Sequence, residues 1–266
     1  GRMGGPMVAR LADAGFLVRA LVRSDEKRPA VERLGAEPAA TTAAVAEEAD
    51  AVVVCVFTDE QVMDVCLEGD LLAAMKPGSV LVIHTTGSPQ TVKAVASRAD
   101  RYFIEVVDAP LSGGPHDVTA GQVTLFVGGG DDAVTQVSPI LATYGNPVLH
   151  VGATGTGQWV KLINNTLFAA QIGLVAEAIE LGSRLGIPES TLLQALPYGS
   201  GASSALDKIA AAGSTSAFIG FVGDFIGKDV EVIRSTLAEL QIDMGLLDDI
   251  VNSGLPHKTS TLRRMQ

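Results

Sequence analysis

From Gln158 to Leu185 the chain carries apolar residues at Leu167, Phe168, Ile172, Leu174, Val175, Ile179, Leu181 and Leu185, and the run stops at Gly186-Ile187-Pro188. Gly followed by Pro is a helix stop. A helix over the whole stretch is about 40 Å long, enough to run through a domain, and its apolar character requires burial. Near its start lies Gly155-Thr156-Gly157-Gln158-Trp159-Val160-Lys161-Leu162-Ile163-Asn164-Asn165. Lys161 and Asn165 stand four apart, so a helix puts both on one face, where they converge on a single small ligand. A lysine there must reach water, pair with an anion or lose its proton. An ordinary helical lysine snorkels to solvent. Here Gly152, Gly155 and Gly157 remove bulk just where Lys161 begins, and Asn164 and Asn165 are poor helix formers whose amides need partners. That face is a candidate active site.

The 266 residues are enough for two domains. A 47% hydrophobic content and a mean hydropathy of +0.31 argue against disorder. The longest unbroken apolar run, Ala51 to Phe57, is far too short to span a bilayer, so no membrane partner is expected. Net charge is −11, without a basic stripe, which opposes binding to phosphate backbones and excludes nucleic acid as the expected partner. Cys55 and Cys66 fit neither a disulfide framework nor a zinc pattern, so no metal site is expected. The expected compartment is the reducing cytoplasm. No targeting segment is visible, and the first residue falls inside a motif, so the natural N-terminus is expected to lie upstream.

The first half alternates short apolar strands (Leu17–Arg23, Ala51–Phe57, Ser79–His84, Tyr102–Val107, Thr124–Val127) with helical stretches (Pro6–Ala14, Glu26–Leu34, Val45–Glu48, Asp59–Leu72, Pro89–Ser97). This βα succession predicts an α/β domain of Rossmann type with an open parallel sheet, its first strand missing, over residues 1–152. Beyond about residue 155 the pattern turns helical, with Ser190–Leu196, Ala202–Ala212, Phe221–Leu240 and Met244–Val251 after the long helix. An all-α domain over 153–266 is predicted, joined to the first by the long interdomain helix. The junction is placed from Gly145-Asn146-Pro147 to Gly157.

Gly1-Arg2-Met3-Gly4-Gly5-Pro6-Met7 reads as the second half of a G-x-G-x-x-G fingerprint, with Gly1 and Gly4 as its second and third glycines. A pyrophosphate would rest on the N-terminus of the next helix. The next strand ends at Arg23, close to the ~20-residue offset at which dinucleotide folds read the ribose 2′ position. An NAD site would offer Asp or Glu there; this chain offers Arg23 and Ser24, with Lys27 and Arg28 beyond. The reading leans to NADP and leaves NAD open. A second constellation, Asp108-Ala109-Pro110-Leu111-Ser112-Gly113-Gly114-Pro115-His116, comes after a strand end, where open α/β sheets bind ligands. Ser112 supplies a hydroxyl, and Gly113 and Gly114 expose amides to a carboxylate. His116, a loop histidine without an identifiable carboxylate partner, reads as a surface group. Lys228-Asp229 reads as a solvated charge pair or a helix-terminal interaction.

Together these segments resemble the β-hydroxyacid dehydrogenase family of the 6-phosphogluconate dehydrogenase superfamily, with the 3-hydroxyisobutyrate dehydrogenases and tartronate semialdehyde reductases nearest. The matching blocks are G-x-M-G-x-P-M at Gly1–Met7, D-A-P-[VL]-S-G-G at Asp108–Gly114, G-x-G-x-x-x-K-x-x-N-N at Gly155–Asn165 and K-D at Lys228-Asp229. The resemblance implies an NAD(P)-dependent oxidoreductase that interconverts a short 3-hydroxy acid and its semialdehyde. It implies Lys161 as the catalytic acid/base, Asn165 as the residue that holds the substrate and orients that lysine, and Ser112, Gly113 and Gly114 as the anchor of the substrate carboxylate. Gly1, Met3, Gly4, Arg23, Ser24, Phe57, Thr58, Thr86 and Lys228 fall on cofactor-binding positions. It also implies a homodimer or homotetramer.

Two departures stand out. The family commonly has D-x-S-T-x-x-P where this chain has Ile83-His84-Thr85-Thr86-Gly87-Ser88-Pro89, and small residues come after its S-G-G where this chain has Pro115-His116-Asp117. In the implied reaction the hydroxyl proton goes to neutral Lys161, an amine that a closed apolar cleft shifts toward the neutral range. The alternatives are a sugar-acid dehydrogenase of the 6-phosphogluconate kind and a catalytically silent nucleotide-binding scaffold. No extra basic cluster awaits a substrate phosphate, and retention of both Lys161 and Asn165 speaks against the scaffold.

Overall fold

Val80, Leu81, Val82 and Ile83 are apolar in succession and all buried, as in a strand covered on both faces, and the sheet is organised around them. The computed structural model describes residues 1–254 and falls into two compact units, the first ending at Lys161 and the second beginning at Leu162. Among the described residues the strands are β1 (Arg19–Leu21), β2 (Glu37–Ala39), β3 (Ala51–Val54), β4 (Val80–Ile83), β5 (Glu105–Asp108), β6 (Leu111–Ser112), β7 (Val123–Gly128) and β8 (Gly145–Gly152). The helices of the first unit are α1 (Gly4–Asp13), α2 (Arg28–Glu32), α3 (Thr42–Ala46), α4 (Asp59–Met63), α5 (Leu71–Ala74), α6 (Pro89–Ala99), α7 (Pro115–Ala120) and α8 (Asp131–Leu141).

β1 and β2 form a parallel two-stranded sheet, while β3, β4 and β5 run parallel in a six-stranded one. Alternation along the central strands sends Leu81 and Ile83 to one face and Val80 and Val82 to the other. The first face packs with Val52, Val54 and Val106 against Val92 and Val95 of α6; the second packs with Val107 and Leu125 against Val134, Val137 and Leu141 of α8. Both faces are therefore dry, and ligands are left the strand ends.

The sheet is mixed rather than parallel throughout, which corrects the expectation from the βα rhythm. β6 and β7 pair antiparallel, Leu111 against Leu125 and Ser112 against Thr124, and β7 meets β5 antiparallel at Gly128 and Asp108. Only ten residues, carrying the short helix α7, separate Ser112 from Val123, fewer than a parallel crossover needs, so β7 returns antiparallel to β6. The stretch 145–152, read as a junction from its Gly, Asn and Pro, is strand β8, parallel to β7.

Long helix α9 (Thr156–Arg184) starts in the first unit and continues without a break into the second, where α10 (Glu189–Ala195), α11 (Ser204–Ala212), α12 (Thr215–Glu239) and α13 (Leu246–Gly254) complete the described chain. One cluster joins Ile172 and Val175 to Leu193, Leu206, Ile209 and Phe218; another joins Ala169 and Ala170 to Ile226, Val230 and Val251. Phe168 meets Phe218 edge to face, with ring centroids 6.3 Å apart. By length and composition α9 is apolar enough to cross a bilayer, which the count of unbroken apolar residues missed. Its burial of Ile172, Ala169 and Ala170 together with the polar Gln158, Lys161 and Asn165 is that of a core helix.

At Gly157 the first turn of α9 presses onto β7: an added Cβ would overlap the Phe126 carbonyl oxygen and stand 2.8 Å from Asp108 Oδ2. Gly157→Ala is expected to lower stability by about 2–4 kcal/mol in urea unfolding. Gly220→Ala, within α12 where a Cβ meets nothing inside 4 Å, is expected to raise it by about 0.5–1 kcal/mol.

Candidate active site

Because β3, β4 and β5 are parallel, their C-terminal ends share one edge, and the segments leaving them are Phe57-Thr58, His84 to Gly87 and Ala109 to Gly114. Hydrogen bonds lace these segments together. The Thr85 hydroxyl accepts from Val56 N and donates to Val56 O, both at 3.0 Å, and Ser88 N donates to Asp59 Oδ2 at 2.7 Å. Ala109 N reaches back to Ile83 O at 2.8 Å. Behind them His84 is fully buried, with Nδ1 2.5 Å from the Ala109 carbonyl and Nε2 2.9 Å from the Tyr144 hydroxyl. A carbonyl only accepts, so Nδ1 carries the proton and Nε2 accepts from Tyr144. Burial pulls the imidazole pKa down to about 4, against the opposing pull of the Ala109 bond.

The start of α9 is fixed to this edge by two buried side chains. Asp108 Oδ1 accepts from Gly155 N at 2.6 Å and Oδ2 from Gln158 N at 2.8 Å. The carboxylate thus satisfies amides that a helix N-terminus leaves without intrahelical partners, and it sits at the positive end of the helix dipole. Burial raises its pKa to about 6, and the backbone N–H groups of Gly155, Gln158 and Gly157 pull the other way. Gln158 then uses both ends of its amide: Oε1 accepts from Gly87 N at 3.0 Å and Nε2 donates to Thr85 O at 2.8 Å. Three residues on, nearly one turn, comes Lys161, buried with 4% exposure.

Farther along α9, Asn165 has 3% exposure. Its Nδ2 donates to Asp229 Oδ2 at 2.5 Å, and its Oδ1 accepts from Asn164 Nδ2 at 3.0 Å. Asp229 Oδ1 lies 2.8 Å from Lys228 Nζ. Lys228-Asp229 is therefore not a solvated pair: it sits inside α12 with the carboxylate buried, because that carboxylate is turned toward Asn165. Held this way, the Asn165 amide has a fixed orientation.

The positions that the family resemblance assigns to the cofactor lie in the first unit, apart from Lys228. Gly1 and Met3 precede α1 and Gly4 opens it; no atom lies within 4 Å of where a Cβ would stand on Gly1, Gly4 or Gly5. A ten-residue helix with a side-chain-free, uncrowded N-terminus fits a dinucleotide pyrophosphate. Arg23 and Ser24, both exposed, lie just beyond the C-terminal end of β1. Phe57 is 58% exposed, Thr58 caps α4 by accepting from Gln61 N, and Thr86 is half-buried beside the Gln158 contacts. Ser112 and Gly114 are half-buried and Gly113 exposed, and His116 is a surface side chain.

Sequence reasoning assigned no role to Asp108, Gln158 or Asp229, whose side chains hold the neighbouring backbone and Asn165 in place. Asp108 and Gln158 lie inside quoted motifs, and a buried acid at a strand end is itself a signal, but their partners lie 47 to 73 residues away along the chain. Among the described residues no cluster of His, Cys, Asp and Glu is suited to a metal ion.

Two family models match. Residues 1–152 match the NAD binding domain of 6-phosphogluconate dehydrogenase, and residues 155–252 match the NAD-binding domain of NADP-dependent 3-hydroxyisobutyrate dehydrogenase. The 2-(hydroxymethyl)glutarate dehydrogenase of Eubacterium barkeri is 31% identical over 209 residues, 78% of this chain and 69% of that one. The NAD-dependent L-serine dehydrogenase of Pseudomonas aeruginosa is 31% identical over 78% of this chain and 70% of its own length. Among solved structures, the 3-hydroxyisobutyrate dehydrogenase of Mycobacterium tuberculosis with L-serine aligns at a TM-score of 0.85 and 26% identity, covering 95% of this chain and 89% of that one.

The two buried titratable groups at the strand ends tilt stability in opposite directions. Folded His84 stays neutral down to about 4 against an ordinary 6.5, so its contribution is complete above pH 6.5 and is lost as pH falls toward 4. Asp108, raised from 3.8 to about 6, adds a cost that grows as pH rises through that window. Each is worth roughly 3 kcal/mol at about 1.4 kcal/mol per pH unit. In urea unfolding from pH 4 to 7, the cost of His84→Gln should therefore grow with pH and that of Asp108→Asn should shrink. Costs that run parallel would contradict the assignment.

Proposed function

The chain belongs to the β-hydroxyacid dehydrogenase family, and on that premise we propose that it interconverts a short 3-hydroxy acid and its semialdehyde with Lys161 as the acid/base. The observation that carries this reading is a buried lysine three residues beyond Gln158, on a helix whose start is clamped to the strand-end edge. When bound, the nicotinamide coenzyme accepts hydride in oxidation and supplies it in reduction. The residues of the chain manage the proton and the geometry. Neutral Lys161 takes the hydroxyl proton as the carbonyl forms, and its ammonium returns one in the reverse direction. Asn165, four residues on, holds the substrate oxygen without burying a second charge, and Asp229 fixes the orientation of its amide. Ser112 and the amides of Gly113 and Gly114 anchor the far end of the substrate, so that the reacting carbon is presented in one pose.

For the coenzyme, exposed Arg23 and Ser24 favour a 2′-phosphate, hence NADP over NAD, with Gly1, Met3 and Gly4 at the pyrophosphate and Phe57, Thr58 and Thr86 lining the nicotinamide half, and Lys228 is a further coenzyme position that the family resemblance implies. Both coenzymes occur in the names of the relatives. Assembly as a homodimer or homotetramer is part of the same reading, supported by the exposed stripe Ile163, Leu167, Leu174 and Leu181 along α9.

Lys161→Ala is expected to lower turnover by about 10³-fold or more while coenzyme affinity, read by fluorescence titration, stays within about threefold. Equal loss of both in a folded variant would move Lys161 to coenzyme binding. Arg23→Ala is expected to lower kcat/KM with NADP by about tenfold and leave NAD nearly unchanged; an unaltered ratio would remove the argument for NADP.

A further inference from the structure

One side chain ties the helix of Lys161 to the segment that this reading places at the nicotinamide. Gln158 has no exposure and is among the bulkiest side chains so enclosed. Its amide spans a single residue: Oε1 accepts from Gly87 N at 3.0 Å and Nε2 donates to Thr85 O at 2.8 Å, so the peptide groups before and after Thr86 are both held by one planar group. An apolar side chain of that size would fill the same space without choosing a register. An amide with one donor and one acceptor side accepts a single alignment of the segment, because any slip leaves a buried polar group without a partner.

The segment is gripped from the other flank as well. The Thr85 hydroxyl is bonded to both the N–H and the carbonyl of Val56, and Ser88 N donates to Asp59 Oδ2 at 2.7 Å. A Cβ added to Gly87 would overlap Asp59 Oδ1, so the backbone has no room to move from α9 toward α4. Half-buried Thr86 therefore keeps one place relative to the start of α9. Lys161 comes three residues after Gln158, and residues three apart are neighbours on a helix surface. Gln158, Thr86 and Lys161 all belong to the first unit.

Resting on the roles assigned to Lys161 and Thr86 above, we propose that Gln158 is a positioning residue of the reaction. It fixes the spacing between Thr86, which lines the coenzyme, and Lys161, which handles the proton, and so acts on the chemical step rather than on the affinity for either ligand. A misplacement of about 1 Å between reacting groups costs on the order of 10²-fold in rate. Affinity in this reading resides elsewhere, at Gly1 to Gly4 and Arg23 for the coenzyme and at Ser112 to Gly114 for the substrate, whereas the Gln158 amide is bonded to Thr85 and Gly87.

The test uses Gln158→Met, which keeps length and bulk and loses both bonds, and Gln158→Glu, which keeps the acceptor and regains the donor when protonated. Turnover is followed on whichever of 3-hydroxypropionate, 3-hydroxyisobutyrate and L-serine the parent oxidises fastest, with the better of NADP and NAD, and again with deuterium at the hydroxyl-bearing carbon. Gln158→Met is expected to lower kcat by about 30-fold or more and to enlarge the isotope effect on kcat, while KM and the coenzyme dissociation constant, read by fluorescence titration, stay within about threefold. In the coenzyme-free protein, amide hydrogen exchange over residues 84–90 is expected to quicken by about tenfold, a readout independent of turnover. For Gln158→Glu, kcat relative to the parent should climb by about fivefold as pH falls from about 8 to about 5.5, because the protonated carboxyl takes over both roles of the amide. Should Gln158→Met fail to fold, that pH dependence decides alone. Equal losses in kcat, substrate affinity and coenzyme affinity would make Gln158 a packing residue and overturn the proposal. So would a kcat within about twofold of the parent in both variants, with melting curves showing them folded, and this outcome leaves the activity itself standing. A parent that oxidises none of the three acids would reject the activity and the positioning role with it, even where exchange shows the segment released.

Discussion

Asp108 does for the first unit what no apolar contact could. A carboxylate without exposure is costly unless its oxygens are filled, and here they are filled by two amides of one helical start. The arrangement answers two demands together: α9 needs acceptors for its unpaired N–H groups, and β5 ends on an acid that needs donors. Strand end and helix start are thereby joined at a defined point, and Gln158 extends the joint to the neighbouring strand end through Thr85 and Gly87.

Much of this architecture was legible because the relevant signals are local. The apolar runs of β3, β4 and β5 and the four-residue spacing of Lys161 and Asn165 depend on strand and helix periods alone. β2 escaped notice because Glu37-Pro38-Ala39 is three residues long and carries a proline, and β6 because it has only two residues. β8 was hidden by turn-forming residues at its start, although the run Val148-Leu149-His150-Val151 completes a strand. Helix α12 begins at Thr215, six residues before the predicted start, after Ser214 caps it by accepting from Ala217 N.

The polar contacts of the site were less legible, for a different reason. Lys228-Asp229 looks like any exposed pair when only its own helix is considered, and its burial arises from Asn165, 64 positions away. The same holds for His84: nothing next to it announces that a carbonyl and a phenol will claim both ring nitrogens. Asp117 is intermediate. Its bond to Gly114 spans three residues and obeys ordinary N-terminal helix logic.

The two anchored amides of α9 also set an angular phase. Each residue added to a helix rotates every later side chain by about 100°, so inserting or deleting a single residue between Gln158 and Lys161 would swing the amine to another side while the clamp held. Length changes after Gly186, beyond the end of the helix, carry no such rotation back to it. Drift in chain length is thus tolerated on one side of this helix and forbidden at the other, and the few residues between Asp108's partners and Lys161 behave as a ruler.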